Sequence, residues 1–117
     1  MNLKVIWKAL LARLKMQQYK VVISDKAKSM LGTHVKFLAQ TSPSAAHNVK
    51  EKIIFAIRSI SEMPERCPFF CGEFVPPNKY HKLIVGSRYL ILYQIKDINV
   101  YVDYIIDGRQ DYSWLVR

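Results

Sequence analysis

Apolar residues recur along this chain with two different periods, and the changes of period mark out the elements. Tyr19 to Ser24 is a short run rich in β-branched residues that reads as a strand, and Asp25 behind it is placed to cap a helix. From Ala27 the apolar positions Ala27, Met30, Leu31, Val35 and Leu38 keep helical spacing, with Gly32 as the weak point of the element. Thr41-Ser42-Pro43 ends that helix and starts another: Ser42 can cap, and Pro43 suits the first helical position, where a missing N–H costs nothing. The second helix has a stripe of Ala46, Val49, Ile53, Ala56, Ile57 and Ile60, with Lys50, Glu51, Arg58 and Glu62 on its outer face. Two amphipathic helices on so short a link form a hairpin, and its apolar stripe needs a sheet to cover.

The sheet is expected next. Pro64, Pro68, Pro76 and Pro77 make Pro64 to Asn78 an ordered but irregular connection. Tyr80 to Val85 then alternates, with Tyr80, Lys82 and Ile84 on one face and His81, Leu83 and Val85 on the other, before Gly86-Ser87 supplies a two-residue hairpin signal. Tyr89 to Ile95 is almost continuously apolar, the pattern of a central strand covered on both faces. Lys96 to Asn99 turns the chain into a last strand, Val100 to Ile106. The order is β-α-α-β-β-β, an α+β fold with a helix hairpin packed on a small, mainly antiparallel sheet.

The first fifteen residues differ from the rest. Leu3, Ile6, Trp7, Leu10 and Leu14 recur at helical spacing with Lys4, Lys8 and Lys15 on the other side, which describes a short amphipathic helix. Charge at Lys8 and Arg13 interrupts the apolar run, so neither a signal peptide nor a transmembrane span is expected. We divide the chain into a basic extension, 1–15, and a folded domain, 16–117. The extension is open to three readings: a helix for a membrane or partner, a segment ahead of a start at Met16, or a cover for part of the core.

Composition adds charge to this picture. The 117 residues are 50% hydrophobic and carry 18 Lys plus Arg against 9 Asp plus Glu, a net charge of +9 that favours an acidic partner without selecting one. Lys4, Lys8, Arg13 and Lys15 leave residues 16–117 with 14 cations against 9 acids. Cys67 and Cys71 are too few for a disulfide framework and lack a second ligand pair for zinc; His34, His47 and His81 are scattered. We therefore expect reduced thiols in a cytoplasmic protein, with no metal and no cofactor. A glycine-rich phosphate loop, HExxH and Gly-x-Ser-x-Gly are all absent.

The remaining chemistry lies around the expected sheet. Lys79, Lys82, Arg88 and Arg109, with His81 beside them, form either a phosphate-binding cluster or a solvated strand face. Lys82 and Arg88 flank one hairpin turn and are the pair expected to converge. Asp103, inside an apolar strand, needs donors or water, and a strand cation is the expected partner. Tyr89 and Tyr93 are read as core residues with the hydroxyl at the rim. Tyr112 and Trp114, beyond the last strand, are candidates for contact with a partner.

Arg88-Tyr89-Leu90-Ile91-Leu92-Tyr93, Val100-Tyr101-Val102 and Asp107-Gly108-Arg109-Gln110-Asp111 resemble the C-terminal half of the RelE/ParE toxins of bacterial type II toxin–antitoxin modules. The helix hairpin and Met63-Pro64-Glu65-Arg66 are similar to that family as well, so the resemblance runs from about Tyr19 to Trp114. It implies a growth-inhibiting toxin, of the kind called plasmid stabilisation proteins, held inactive by a cognate antitoxin. RelE-like members are ribosome-dependent mRNA endonucleases, or mRNA interferases, and that branch would assign catalysis to Lys82, Arg88, Arg109 and Tyr112. Their strand pattern has arginine directly after the tyrosine, where this chain has Leu90. The Gly-Arg-Gln-Asp ending looks more like ParE, whose members bind DNA gyrase without chemistry of their own; that branch makes Arg88, Arg109, Tyr112 and Trp114 the partner contacts. A non-toxic basic binding domain is the remaining alternative.

Overall fold

The computed structural model describes residues 3, 4, 6, 18–72 and 75–109. Their elements run β1 (Lys20–Ile23), α1 (Asp25–Ala39), α2 (Pro43–Ser59), a 3-10 turn (Pro64–Arg66), β2 (His81–Val85), β3 (Tyr89–Lys96) and β4 (Asn99–Asp107). This is the expected order, and the helix hairpin does lie on a small sheet. Within the extension only Leu3, Lys4 and Ile6 are described; they are helical and exposed. The boundary at Met16 lies outside the described residues.

Both helices begin where side-chain chemistry allows. Ser42 Oγ accepts from the Ala45 N–H, and Pro43 occupies the first helical position, as expected. The first helix starts one residue earlier than expected. Ser24 rather than Asp25 is its cap, with the Ser24 hydroxyl accepting from Ala27 N at 3.0 Å and Asp25 in the first turn, where its charge complements the helix dipole.

The sheet order is β1-β4-β3-β2, with β1 parallel to β4 and the other pairs antiparallel. Gly86 and Ser87, at φ 61° each, form the two-residue turn between β2 and β3. Both faces of β3 are buried, because its alternate residues enter two different cores. Tyr89, Ile91 and Tyr93 meet Ala27, Ile53 and Ile57 of the helices. Leu90 and Leu92 meet Tyr104 and Ile106 of β4, together with Phe70 of the proline-rich connection and Tyr80, which lies just ahead of β2 and not within it as expected. That connection is therefore the second cover of the sheet. It runs along β2 as well, where an isolated antiparallel bridge joins Phe69 to His81 and the Lys82 N–H donates to the Pro68 carbonyl.

The Pro64–Arg66 turn ties three elements together. Arg66 Nη1 donates to the carbonyls of Ser59 and Glu62 at the C-terminus of α2, where helix carbonyls lack partners. Glu65 accepts from the Tyr19 hydroxyl at 2.7 Å, and the Pro64 carbonyl accepts from the Tyr93 hydroxyl at 2.7 Å. Tyr93 thus departs from expectation. Its ring is wholly buried, and its hydroxyl ends on an interior carbonyl instead of at the rim.

β4 contains an irregularity that alternation alone does not show. Tyr93 pairs with Val102 and Leu92 with Tyr104, so Asp103 is an extra residue, a bulge. The bulge lets Val100 and Val102 face the helices before it and Ile105 after it. It also turns the Asp103 carboxylate toward Tyr80, whose hydroxyl donates at 3.0 Å, and Gln94, whose amide donates at 2.6 Å. The expected strand cation is not its partner; neutral donors satisfy the carboxylate. Burial and this hydrogen bond together push the Tyr80 hydroxyl well above its ordinary pKa.

Replacing Tyr93 by Phe removes the donor and leaves the Pro64 carbonyl buried without it. We expect Tyr93→Phe to lower stability by about 1–3 kcal/mol in urea unfolding. A midpoint equal to that of the wild type would show that the bond contributes nothing net.

Candidate functional site

The cations singled out from the sequence separate into different environments. Lys82 stands opposite Leu92 in the β2–β3 ladder, three residues before Val85, or roughly 10 Å of strand from the turn. Arg88 lies on the other side of that turn and does not pair along the hairpin with Lys82. It reaches across to the end of β4, where Nε and Nη2 donate to Asp107 Oδ2 at 3.3 and 3.0 Å. Arg109 joins the same carboxylate: its backbone N–H donates to Oδ1 at 3.0 Å, and its guanidinium Nε lies 3.7 Å from Oδ1. The pair that converges is Arg88 and Arg109.

Backbone geometry brings them together. Tyr89 and Asp107 are register partners at the end of the β3–β4 ladder, which places the residues just beyond them side by side. The Gly108 N–H donates to the Arg88 carbonyl at 2.7 Å. A Cβ at Gly108 would stand 2.8 Å from that carbonyl oxygen, so only glycine permits the approach. The Asp-Gly-Arg sequence therefore supplies an anchor, a close contact and a second cation in three consecutive residues.

Asp107 is the buried member, with 8% of its side chain exposed against 26% for Arg88 and 66% for Arg109. Burial alone raises its carboxyl pKa. The Arg88 hydrogen bond, the Arg109 backbone N–H and the two guanidinium charges outweigh burial and hold it below the ordinary value. Sequence reading missed this hub because an acid at a strand end is ordinary in isolation. The available signal was the arginine two residues after Asp107, combined with an arginine at the start of the strand opposite.

His81 is not part of a surface cation cluster. It is 8% exposed, stacks on Tyr93 with 5.3 Å between ring centroids, and donates from Nδ1 to the Cys67 carbonyl at 2.7 Å. His34 is also engaged, donating from Nε2 to the Ile105 carbonyl at 2.9 Å. A carbonyl only accepts, so each of these nitrogens carries a proton. Lys79 is exposed, with its ammonium 5.5 Å from the centre of the Tyr80 ring. Leu90, at the position where the RelE pattern has arginine, is buried in the second core. Cys67 is buried and Cys71 exposed, both as free thiols. Tyr112 and Trp114 lie outside the described residues. Among the described residues, no three His, Cys, Asp or Glu side chains are grouped to hold a metal, and no helix is long and apolar enough to cross a membrane.

This geometry can be set beside known proteins. The family model of the ParE toxin of the type II toxin–antitoxin system parDE matches residues 21–112. The chain belongs to the ParE toxin family. In fold, this ParE-family chain is similar to a chain of the chromosomal ParDE TA system from P. aeruginosa, with a TM-score of 0.65 over 78% of this chain and 97% of that one, at 13% identity. No curated protein matches it significantly in sequence. The family match runs from Val21, within β1, past the end of β4 and includes the Arg88–Asp107–Arg109 cluster.

The cluster makes stability depend on pH with a definite sign. Because the folded Asp107 carboxyl titrates below the unfolded one, its contribution is complete above the unfolded value, about 4, and is lost as the pH falls through the folded value. Asp107→Asn is expected to cost about 1–3 kcal/mol at neutral pH. The gap between the two unfolding curves should close on acidification below about pH 4. A gap that stays constant with pH would mean the charge is not what holds the arginines.

Proposed function

We propose that this chain is the toxin of a type II toxin–antitoxin module, that it inhibits growth by binding DNA gyrase, and that a cognate antitoxin neutralises it. Family membership supports the module. The choice of a binding over a cutting mechanism draws its main support from the arginines of the cluster, both of which are tied to Asp107.

RNA cleavage through a ribose 2′-hydroxyl needs a base to take the proton and donors directed at the phosphate. Several described residues are poorly suited to these roles. His81 is buried between Phe69 and Tyr93, away from a substrate. Burial raises the pKa of the Tyr89 and Tyr93 hydroxyls, which makes both poorer sources of a phenolate. Lys82 is separated from the arginines along the hairpin, and the apolar Leu90 stands where the cutting branch has its arginine. A guanidinium already paired with a carboxylate is a recognition element of fixed orientation. The net charge of +9 suits it to an acidic antitoxin segment, whose approach the field would speed.

Inducible expression of the full chain in a bacterium, with pulse labelling of DNA and protein synthesis over the first minutes, tests the reading. DNA synthesis is expected to stop first, with gyrase–DNA cleavage complexes accumulating. Arrest of protein synthesis first, with transcripts cut within codons, would establish the endonuclease instead, and harmless high expression would leave a non-toxic basic domain.

A further inference from the structure

Three clefts run into one another where the β2–β3 turn meets the helix hairpin. The first, about 80 Å3, is lined by Thr33, His34 and Phe37 of α1 and by Arg88, Tyr89 and Asp107. The second, about 120 Å3, shares Arg88 and Tyr89 with the first and adds Lys52 of α2. The third, wider and shallower, shares Lys52, Val85 and Gly86 with the second and extends to Phe55 and Ile84. Exposed apolar side chains stand at both ends of this trough: Phe37 is 63% exposed, Phe55 76% and Ile84 59%.

Tyr89 occupies the junction and carries an anomaly. Its side chain is 4% exposed, yet its hydroxyl is buried with no hydrogen-bond partner among the described residues. The ring is held in place by His34, with 5.6 Å between centroids, and by the Arg88 guanidinium, 5.2 Å from its centre. Tyr89 lines the first cleft together with Arg88 and Asp107. Buried hydroxyls are nearly always satisfied, so an orphan on a residue that lines a cleft points to an acceptor that arrives from outside and shifts lining side chains such as Phe37 to reach it.

Arg88 provides a second donor there. Its Nε and Nη2 are spent on Asp107, whereas Nη1 makes no hydrogen bond with a described residue. Both oxygens of Asp107 are already engaged, Oδ2 by Arg88 and Oδ1 by the Arg109 N–H, so this acid is largely neutralised toward an incoming anion. With Lys52 in the adjoining cleft, positive charge exceeds negative around the junction. Two donors in a net positive cleft this small fit a carboxylate, and exposed apolar neighbours on either side fit a polypeptide that bears one.

We propose that the Tyr89 cleft reads an acidic side chain of the antitoxin, with its carboxylate accepting from the Tyr89 hydroxyl and Arg88 Nη1 and its apolar neighbours resting on Phe37. This rests on the toxin reading above and adds the subsite through which neutralisation is specified.

The test displays a library of random 12-residue peptides to the purified full chain and measures the enriched peptides by fluorescence anisotropy. The enriched peptides should share an Asp or Glu beside an apolar residue, and changing that acid to its amide should weaken binding about tenfold. Tyr89→Phe should weaken the acidic peptides similarly while its thermal unfolding midpoint stays level or rises, since the orphan hydroxyl is gone. A purely structural role would lower the midpoint and leave affinity alone. Phe37→Ala, on an exposed ring, should also weaken binding and keeps the test open if Tyr89→Phe folds poorly. Failure to enrich peptides, peptides without a shared acid, or acidic peptides bound equally by Tyr89→Phe would overturn the proposal. Displacement of the peptides by millimolar inorganic phosphate, with the same dependence on Tyr89, would also overturn it by making this a general oxyanion site. Harmless expression of the full chain would remove the toxin reading while leaving a Tyr89-dependent carboxylate subsite standing, so the two failures are distinct.

Discussion

A strand with no face toward water has to be covered twice, and β3 imposes that constraint on everything around it. Tyr89 through Tyr93 are buried without interruption, alternating between two cores. Each large apolar side chain taken out of water contributes about 1.5–3 kcal/mol, so exposing either face would forfeit several such terms. The helix hairpin covers one face with Ile53 and Ile57. The other face is covered by chain that has too many prolines for a regular element, and Phe70 and Tyr80 serve it. Irregular chain in such a position must find partners for its backbone, which accounts for the Pro68, Pro64 and Cys67 carbonyls accepting from Lys82 N, the Tyr93 hydroxyl and His81 Nδ1.

The same constraint creates the candidate site. At its last rung the β3–β4 ladder runs out of interior, and Asp107 ends up nearly buried at a place where charge is costly unless paired. Arg88 and Arg109 meet that need from either side, and Gly108 permits the backbone approach that lets them do so. The site is therefore a by-product of closing the sheet that has become a positively charged corner of fixed geometry. Rigid donors of this kind suit recognition, where ordering side chains on binding is a cost to be avoided.

Local sequence carried most of the fold. Caps, helical stripes, the Gly86-Ser87 turn and the long apolar run of β3 depend on neighbours within a few positions, so periodicity and propensity describe them. What was hidden depends on pairing between distant segments. The bulge at Asp103 exists only in the register against Leu92 and Tyr93, and without it the choice of Tyr80 and Gln94 as partners has no basis. His81 looked like a surface cation because alternation gives the face and not the cover; the chain from Cys67 to Phe69 supplies the cover. Counting cations likewise could not reveal which were paired. Arg88 and Arg109 lie at the end of the sheet, but the carboxylate they share joins Arg88 to a residue 19 positions away. The family resemblance drew on Met63 to Arg66 and Asp107 to Arg109, two segments now seen to hold several elements together.

Charge and shape divide the work of recognition here. A net charge of +9 acts at a distance, raising encounter rates with any acidic partner while choosing poorly among them. Selection has to come from groups that reward only the right partner, and an unbonded buried hydroxyl is such a group: it is already out of water and gains only from an acceptor placed within about 3 Å. Around Tyr89 the two scales meet, with Arg88 belonging to both, as a contributor to the field and as a donor held by Asp107 in one orientation. A partner with negative charge but no acceptor at that spot would arrive quickly and leave quickly. One that satisfies Tyr89 would be retained, because its departure would again leave a buried donor without a bond.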